Sequence, residues 1–156
     1  MTAVRRRMNL HNHTTSSDGR CTVSGIVAEA VRVGLEGVGI SDHFYTRKVF
    51  RTMEPNAWLA SVWPKYLAEA EKWRGVVSSG MKVWFGIELD TCFDRVEMEL
   101  DQLPWDGINT LDYLLVEYAG EEEWGGMPVA RLAELRDHCR IPVIIAHPAI
   151  DRLEDS

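Results

Sequence analysis

Cysteine is scarce in this sequence, and long apolar runs are missing altogether. The three cysteines, Cys21, Cys92 and Cys139, are widely spaced and form no Cys-x-x-Cys pair. This spacing argues against a disulfide framework or a zinc ribbon and is typical of a reducing compartment, so we expect a cytoplasmic protein. No apolar run approaches the roughly 20 residues that span a bilayer. No signal-peptide core follows Arg5-Arg6-Arg7.

Basic residues are also too few to suggest a nucleic-acid-binding protein. Lysine and arginine together number 17, against 24 aspartates and glutamates, which gives a net charge of −7. Long nucleic acids are bound by basic surfaces, so we do not expect one as a partner. The 156 residues, 46% of them hydrophobic, are enough for a single domain with a core. We therefore predict one domain over residues 1–156.

The most informative stretch lies close to the N-terminus. His11 and His13 are two residues apart, and residues at that spacing in a strand point to the same face. Asp18 follows in a predicted turn with Gly19. Two imidazoles and a carboxylate are suitable ligands for a divalent metal ion. The alternative is that both histidines are ordinary core or surface residues.

The rest of the chain alternates between strand-like and helix-like patterns. The predicted elements are, in order, a strand that carries His11 and His13, a helix over 22–35, a strand over 38–41, a helix from Asn56 that Pro64 kinks or divides, a strand over 82–89, a short helix over 94–103, a strand over 110–117, a helix over 129–139 and a strand over 141–146. Apolar strands alternating with helices indicate an α/β fold with a parallel sheet.

Polar residues with metal-ligand chemistry recur at the carboxyl ends of these strands. They are His11, His13, His43, Glu88, Glu117 and His147. In closed or partly closed parallel barrels, the loops at this end of the strands build the functional site. The repetition over five strands favours the metal interpretation of the first pair of histidines.

Four motifs resemble those of the PHP (polymerase and histidinol phosphatase) family. They are Leu-His-Asn-His-Thr-Thr-Ser-Ser-Asp-Gly at 10–19, Ser-Asp-His at 41–43, Gly-Ile-Glu at 86–88 and Ile-Ala-His-Pro at 145–148. The resemblance implies a distorted (β/α)7 barrel with two or three Mn, Fe or Zn ions, in which Glu88 bridges two of them. The ligands that it implies are His11, His13, Asp18, His43, Glu88 and His147.

Two departures from the family pattern are visible. A histidine usually follows the fourth strand in the family, whereas this chain offers Glu117, which we keep as a further candidate ligand. The closing Asp-x-His motif is absent, because the chain stops at Ser156. We therefore expect a C-terminally truncated member, an incomplete TIM-like barrel of about five strands. An open barrel edge predicts a homodimer, or a cover made by a helix or by the C-terminal tail.

The resemblance implies a phosphoesterase that hydrolyses a small phosphate ester through metal-activated water. Glu88 would fix the metal spacing, and Asp42 would orient an imidazole or act only as a capping residue. One alternative is a weak or inert PHP remnant that serves as a metal-binding or interaction module. Another is an amidohydrolase-type enzyme, although no lysine stands at a strand end to bridge its metals.

Overall fold

The computed structural model describes residues 7–147, so Arg5, Arg6 and Pro148 of the motifs above lie outside the described residues. The elements are β1 (Met8–Asn9), α1 (Val23–Arg32), β2 (Gly37–Ile40), α2 (Pro55–Ser61), α3 (Trp63–Trp73), β3 (Gly75–Val76), β4 (Lys82–Asp90), α4 (Phe93–Val96), α5 (Trp105–Ile108), β5 (Tyr113–Glu117), α6 (Leu132–Leu135) and β6 (Val143–Ile145). Among them, no helix has both the length and the apolar character that crossing a membrane requires.

Five parallel strands form a curled half-barrel in the order β1-β2-β4-β5-β6. The strand β4 is central, since β2 pairs with its first half and β5 with its second half. The short β3 pairs antiparallel with the start of β4. The predicted α/β architecture, an incomplete barrel of about five parallel strands, is therefore confirmed.

The two faces of β4 have different surroundings. Val83, Phe85, Ile87 and Leu89 are fully buried in the main core, which also contains apolar residues of α1 and α3. Trp84, Gly86 and Glu88 alternate with them and belong to the inner face of the curl. Successive side chains of a strand point to opposite faces, so these two sets lie on opposite sides of the sheet. The alternation places Glu88 on the inner face, near the carboxyl end of the strand.

Tyr113 links distant strands across the inner face of the half-barrel. Its hydroxyl donates to the carbonyl of Leu10 at 2.5 Å and lies 3.4 Å from the carbonyl of Ile40, at the end of β2. A Cβ atom on Gly39 or Gly86 would come within 2.4 Å of the Tyr113 side chain. Glycine at these two positions therefore makes room for the ring.

The first strand is shorter than predicted. Regular pairing with β2 ends at Asn9, so His11 and His13 lie beyond the strand. Beyond Asn9, hydrogen bonds of Asn12 replace the regular pairing with β2. The side-chain amide of Asn12 donates to the Gly39 carbonyl at 2.8 Å, and the backbone carbonyl of Asn12 accepts from the Ser41 amide at 2.9 Å. The segment stays aligned with β2 without being a strand.

Several helices also differ from the predictions. The helical region around Pro64 is divided into α2 and α3, which is one of the two outcomes predicted for it, a kink or a division. The predicted N-cap of the first helix was wrong, because that residue is Glu54 and not Asn56. The predicted helix over 94–103 ends early, because Glu97 adopts a left-handed conformation with φ of 56°. Only a 3-10 turn and the four-residue α6 form within the predicted helix over 129–139. The elements β3 and α5 were not predicted.

Candidate metal centre

The carboxyl ends of the strands bring seven ionisable side chains together. These side chains form three overlapping groups, and within each group the ligand atoms lie within 4.8 Å of one another. We call them the first group (His11, Glu88, His147), the second group (His13, Asp18, His43) and the third group (His43, Glu88, Glu117). Seven of the eight predicted site residues are thus brought together, and the exception is Asp42.

Glu88 lies at the centre of these groups and is only 1% exposed. Its Oε1 is 3.2 Å from His11 Nε2, and its Oε2 is 2.9 Å from His13 Nε2. His43 Nδ1 lies 3.2 Å from the same Oε2. The nitrogens of His11 and His13 are themselves only 3.0 Å apart. Three imidazoles thus face one buried carboxylate.

The backbone fixes Glu88 and His43 relative to each other. The amide of Glu88 donates to the carbonyl of Asp42 at 2.9 Å, and the amide of Phe44 donates to the carbonyl of Glu88 at 2.8 Å. These bonds continue the parallel pairing of β2 and β4 by one further bridge, between His43 and Glu88. The relative height of the two side chains is therefore set by sheet register.

A tight loop carries Asp18 back towards the histidines. Asp18 Oδ1 lies 2.7 Å from His13 Nδ1, and its Oδ2 lies 3.7 Å from His43 Nε2. The loop closes with a bond from the Gly19 amide to the Thr14 carbonyl. A Cβ atom at Gly19 would fall 2.1 Å from the His13 carbonyl oxygen, so only glycine fits this close approach.

Asp42 organises this loop and belongs to none of the three groups. Its Oδ1 accepts from the Thr14 amide at 2.7 Å and from the Ser17 hydroxyl at 2.5 Å, and its Oδ2 accepts from the Thr14 hydroxyl at 2.7 Å. The sequence offers two interpretations of Asp42, an orienter of an imidazole or a capping residue. These contacts favour the second, because they are all made to the loop between His13 and Asp18.

Glu117 lies at the end of β5 with a cation beside it. Both of its carboxylate oxygens accept from Lys48 Nζ, at 2.6 and 2.8 Å, and its Oε1 is 3.3 Å from His43 Nδ1. On the other side of the site, the rings of His147 and His11 have centroids 5.0 Å apart. His147 adopts a positive φ of 52° immediately after β6.

The charges of the site shift several pKa values. Burial works to raise the pKa of Glu88, but the neighbouring imidazoles of His11 and His13 outweigh it and hold that pKa well below its usual range. Burial works to lower the pKa of His13, whereas Glu88 and Asp18 raise it to about 9. The pKa of Glu117 is likewise lowered, by His43 and Lys48 against the effect of burial.

The buried atoms of the site lack ordinary partners. Neither oxygen of Glu88 nor Nδ1 of His43 makes a hydrogen bond of acceptable geometry, although all three atoms are buried. Ligands about 2.1 Å from one ion lie roughly 3.0–3.4 Å apart, close to the separations of 2.9–3.2 Å around Glu88. Buried oxygen and nitrogen atoms that lack hydrogen bonds and have this spacing are suitable ligands for a divalent metal ion.

A comparison with family models agrees with this geometry. The model of the PHP domain matches residues 9–132, which is most of the chain. The chain belongs to the PHP domain family. Neither the curated proteins nor the solved structures include a significant match.

The PHP match covers every predicted site residue except His147, which lies beyond residue 132. PHP domains typically bind divalent metal ions, and the His, Asp and Glu groups of this chain could hold them. The individual ligand assignments stay predictions.

Sequence reasoning missed one ionic partner of the site, Lys48. It lies in the loop after β2, 69 residues before Glu117, and no local pattern distinguishes it from the neighbouring Arg47. Thr14 and Ser17 were also missed as partners of Asp42. Their position inside the first PHP motif, between His13 and Asp18, was the available indication.

Proposed function

We propose that this PHP domain is a metal-dependent phosphoesterase that hydrolyses a small phosphate ester. The observation that carries the proposal is the buried Glu88 carboxylate, whose two oxygens face imidazole nitrogens and make no hydrogen bond. A buried anion without hydrogen-bonding partners is costly, and a shared divalent ion would remove that cost. The reloading experiment described below tests which of Mn, Fe and Zn supports the reaction.

Bound divalent ions would activate a water molecule for attack and would draw charge from the phosphoryl oxygens. Glu88 would fix the separation of the first and second groups, since it offers one oxygen to His11 and the other to His13. Asp18 Oδ1 lies 2.7 Å from His13 Nδ1, so with metal bound it would orient that ring and favour a proton on Nδ1, which leaves Nε2 to bind the metal.

Cys92 does not favour a covalent route. Cys92 lies just beyond β4, but burial raises the pKa of its thiol to about 11. The thiol is therefore protonated at neutral pH and is a poor nucleophile. Activated water is the better candidate for the attacking group.

The test is phosphate release by protein stripped with a chelator and then reloaded with Mn²⁺, Fe²⁺ or Zn²⁺. A panel of small phosphomonoesters and phosphodiesters serves as substrate. We expect turnover that requires metal and that falls about 100-fold or more in Glu88→Gln. The matched control Glu71→Gln, at an exposed position on α3, should behave as wild type. Turnover of every substrate at no more than the rate of Glu88→Gln would refute the proposal.

A second candidate is an interaction module with weak or no catalysis. It is favoured by the sheet edges, because among residues 7–147 neither β1 nor β6 pairs with a further strand on its outer side. Met8 and Ile144, 47% and 39% exposed, line a cavity of about 210 Å³ there with Leu10 and Trp84. Such an edge would suit a homodimer. Light scattering that shows only a monomer across the micromolar range would count against the dimer.

A further inference from the structure

The third group differs from the other two because a cation of the chain itself, Lys48, lies beside it. Glu117 is 6% exposed, and Lys48 Nζ lies within 2.8 Å of both of its oxygens. In the first and second groups, by contrast, no lysine or arginine in the described part of the chain pairs with a carboxylate. The counter-charge that a buried carboxylate requires is thus already present at Glu117.

Lys48 is held in place by its surroundings. Its backbone amide donates to the Thr46 hydroxyl oxygen at 3.3 Å, and that hydroxyl donates to the buried Asp90 carboxylate at 2.9 Å. The Lys48 ammonium also lies 5.2 Å from the centre of the Tyr118 ring, which is a cation–π contact. With only 29% of its side chain exposed, Lys48 is a fixed part of the site.

The chemistry of His43 also weakens the third group as a metal site. Its Nε2 faces Asp18 in the second group, whereas its Nδ1 faces Glu88 and Glu117 in the third. A neutral imidazole has a lone pair on only one nitrogen. If Nε2 binds a metal in the second group, Nδ1 carries the proton and has no lone pair to offer to a further ion, although it lies 3.2 Å from Glu88 Oε2 and 3.3 Å from Glu117 Oε1. The third group is then reduced to carboxylate oxygens.

We infer that the chain binds two divalent ions, in the first and second groups, and that Lys48 takes the place of a third ion at Glu117. The inference rests on the proposed function for the first two ions. A divalent ion at Glu117 would have to approach the Lys48 ammonium closely, and like charges at that distance repel. Removing the lysine charge should therefore open a third, weaker site made of carboxylate oxygens, which suit Mn²⁺.

The test counts bound metal and needs no substrate. Metal-free protein is dialysed to equilibrium against Mn²⁺, and bound Mn²⁺ is measured by elemental analysis for the wild type and for Lys48→Met, Lys48→Arg and Glu117→Gln. Lys65→Met, at an exposed position on α3, is the matched control. We expect two equivalents for all of these proteins except Lys48→Met, which should bind a third, weaker equivalent. Adding Glu117→Gln to Lys48→Met should remove the third equivalent again.

The outcomes separate this inference from the proposed function. A wild-type count of two that Lys48→Met does not raise would overturn the inference alone. A wild-type count of three, or a loss of one equivalent in Glu117→Gln, would also overturn it, because Glu117 would then be a ligand. A wild-type count of one would overturn the two-ion centre and this inference, and a count of zero would overturn the proposed function as well. Glu117→Gln keeps the inference testable if Lys48→Met does not fold.

Discussion

Replacing Asp42 with alanine should weaken both the fold and metal binding. The carboxylate is 1% exposed and accepts three hydrogen bonds, two from Thr14 and one from Ser17. The buried Thr14 amide donates to Asp42 Oδ1 at 2.7 Å and would lose this acceptor. The substitution therefore acts directly on the loop that separates His13 from Asp18.

The expected magnitude follows from the groups left without acceptors. Thr14 is almost completely buried, and a buried donor that loses its partner costs about 1–3 kcal/mol. Two such donors, together with the part-buried bond from Ser17, give an expected loss of about 4 kcal/mol in the free energy of unfolding. Asp42→Asn should lose only about 1–2 kcal/mol, because the amide can still accept from the Thr14 amide and donate to its hydroxyl.

The metal affinity should fall in parallel, because Asp42 holds the loop between His13 and Asp18, and residues that support metal ligands typically contribute a factor of about 10–100. Urea denaturation of metal-free protein measures the loss of stability, and Mn²⁺ titration measures the loss of affinity. Asp137→Ala, at an exposed position after α6, is the control and should change neither. An Asp42→Ala protein within about 1 kcal/mol of wild type, or one with unchanged Mn²⁺ affinity, would refute the argument.

Three further predictions concern other parts of the molecule. At pH 7.5 the raised pKa of His13, about 9, keeps the imidazole protonated in metal-free protein. Metal binding should release that proton, so the metal affinity should fall as the pH falls. Calorimetry in two buffers of different ionisation enthalpy should find that His13→Ala releases about one proton fewer on metal binding than the wild type. Tyr113→Phe should lose about 1 kcal/mol of unfolding free energy in urea titration, because the carbonyl of Leu10 loses its short bond from Tyr113 and keeps only the 3.5 Å contact with the Ser41 hydroxyl. Trp58→Ala, at a fully buried core position, should lose about 3–5 kcal/mol in the same assay.

The sequence predicted the parts of the fold that depend on local pattern. Alternation of apolar residues located β4 and its buried face, and the recurrence of ligand-type residues at strand ends located Glu88 and Glu117 on one site. These features need only neighbours two residues apart in a strand. The division at Pro64 follows equally from the local geometry of proline.

The features that the sequence did not reveal depend on long-range contacts or on single backbone angles. The pair of Lys48 and Glu117 joins residues 69 positions apart, so no periodic pattern points to it. The predicted helix over 94–103 is interrupted by the left-handed conformation of Glu97, which helix propensity does not anticipate. The early end of β1 reflects the side chain of Asn12, which replaces the ladder bonds.

The Tyr113 hydroxyl has a consequence for how an open sheet can hold a fixed radius of curvature. A closed barrel keeps its radius because hydrogen bonds run without a break around its circumference. Here the Tyr113 phenol crosses the interior from β5 to the carbonyl of Ile40 at the end of β2, two strands away, and to the carbonyl of Leu10 just after β1, three strands away. The Tyr113 side chain therefore helps to fix the distance between the segment that carries His11 and the strand that ends at Glu117. The curvature of the sheet near the metal centre is therefore held by side-chain contacts and does not depend on closure of the barrel.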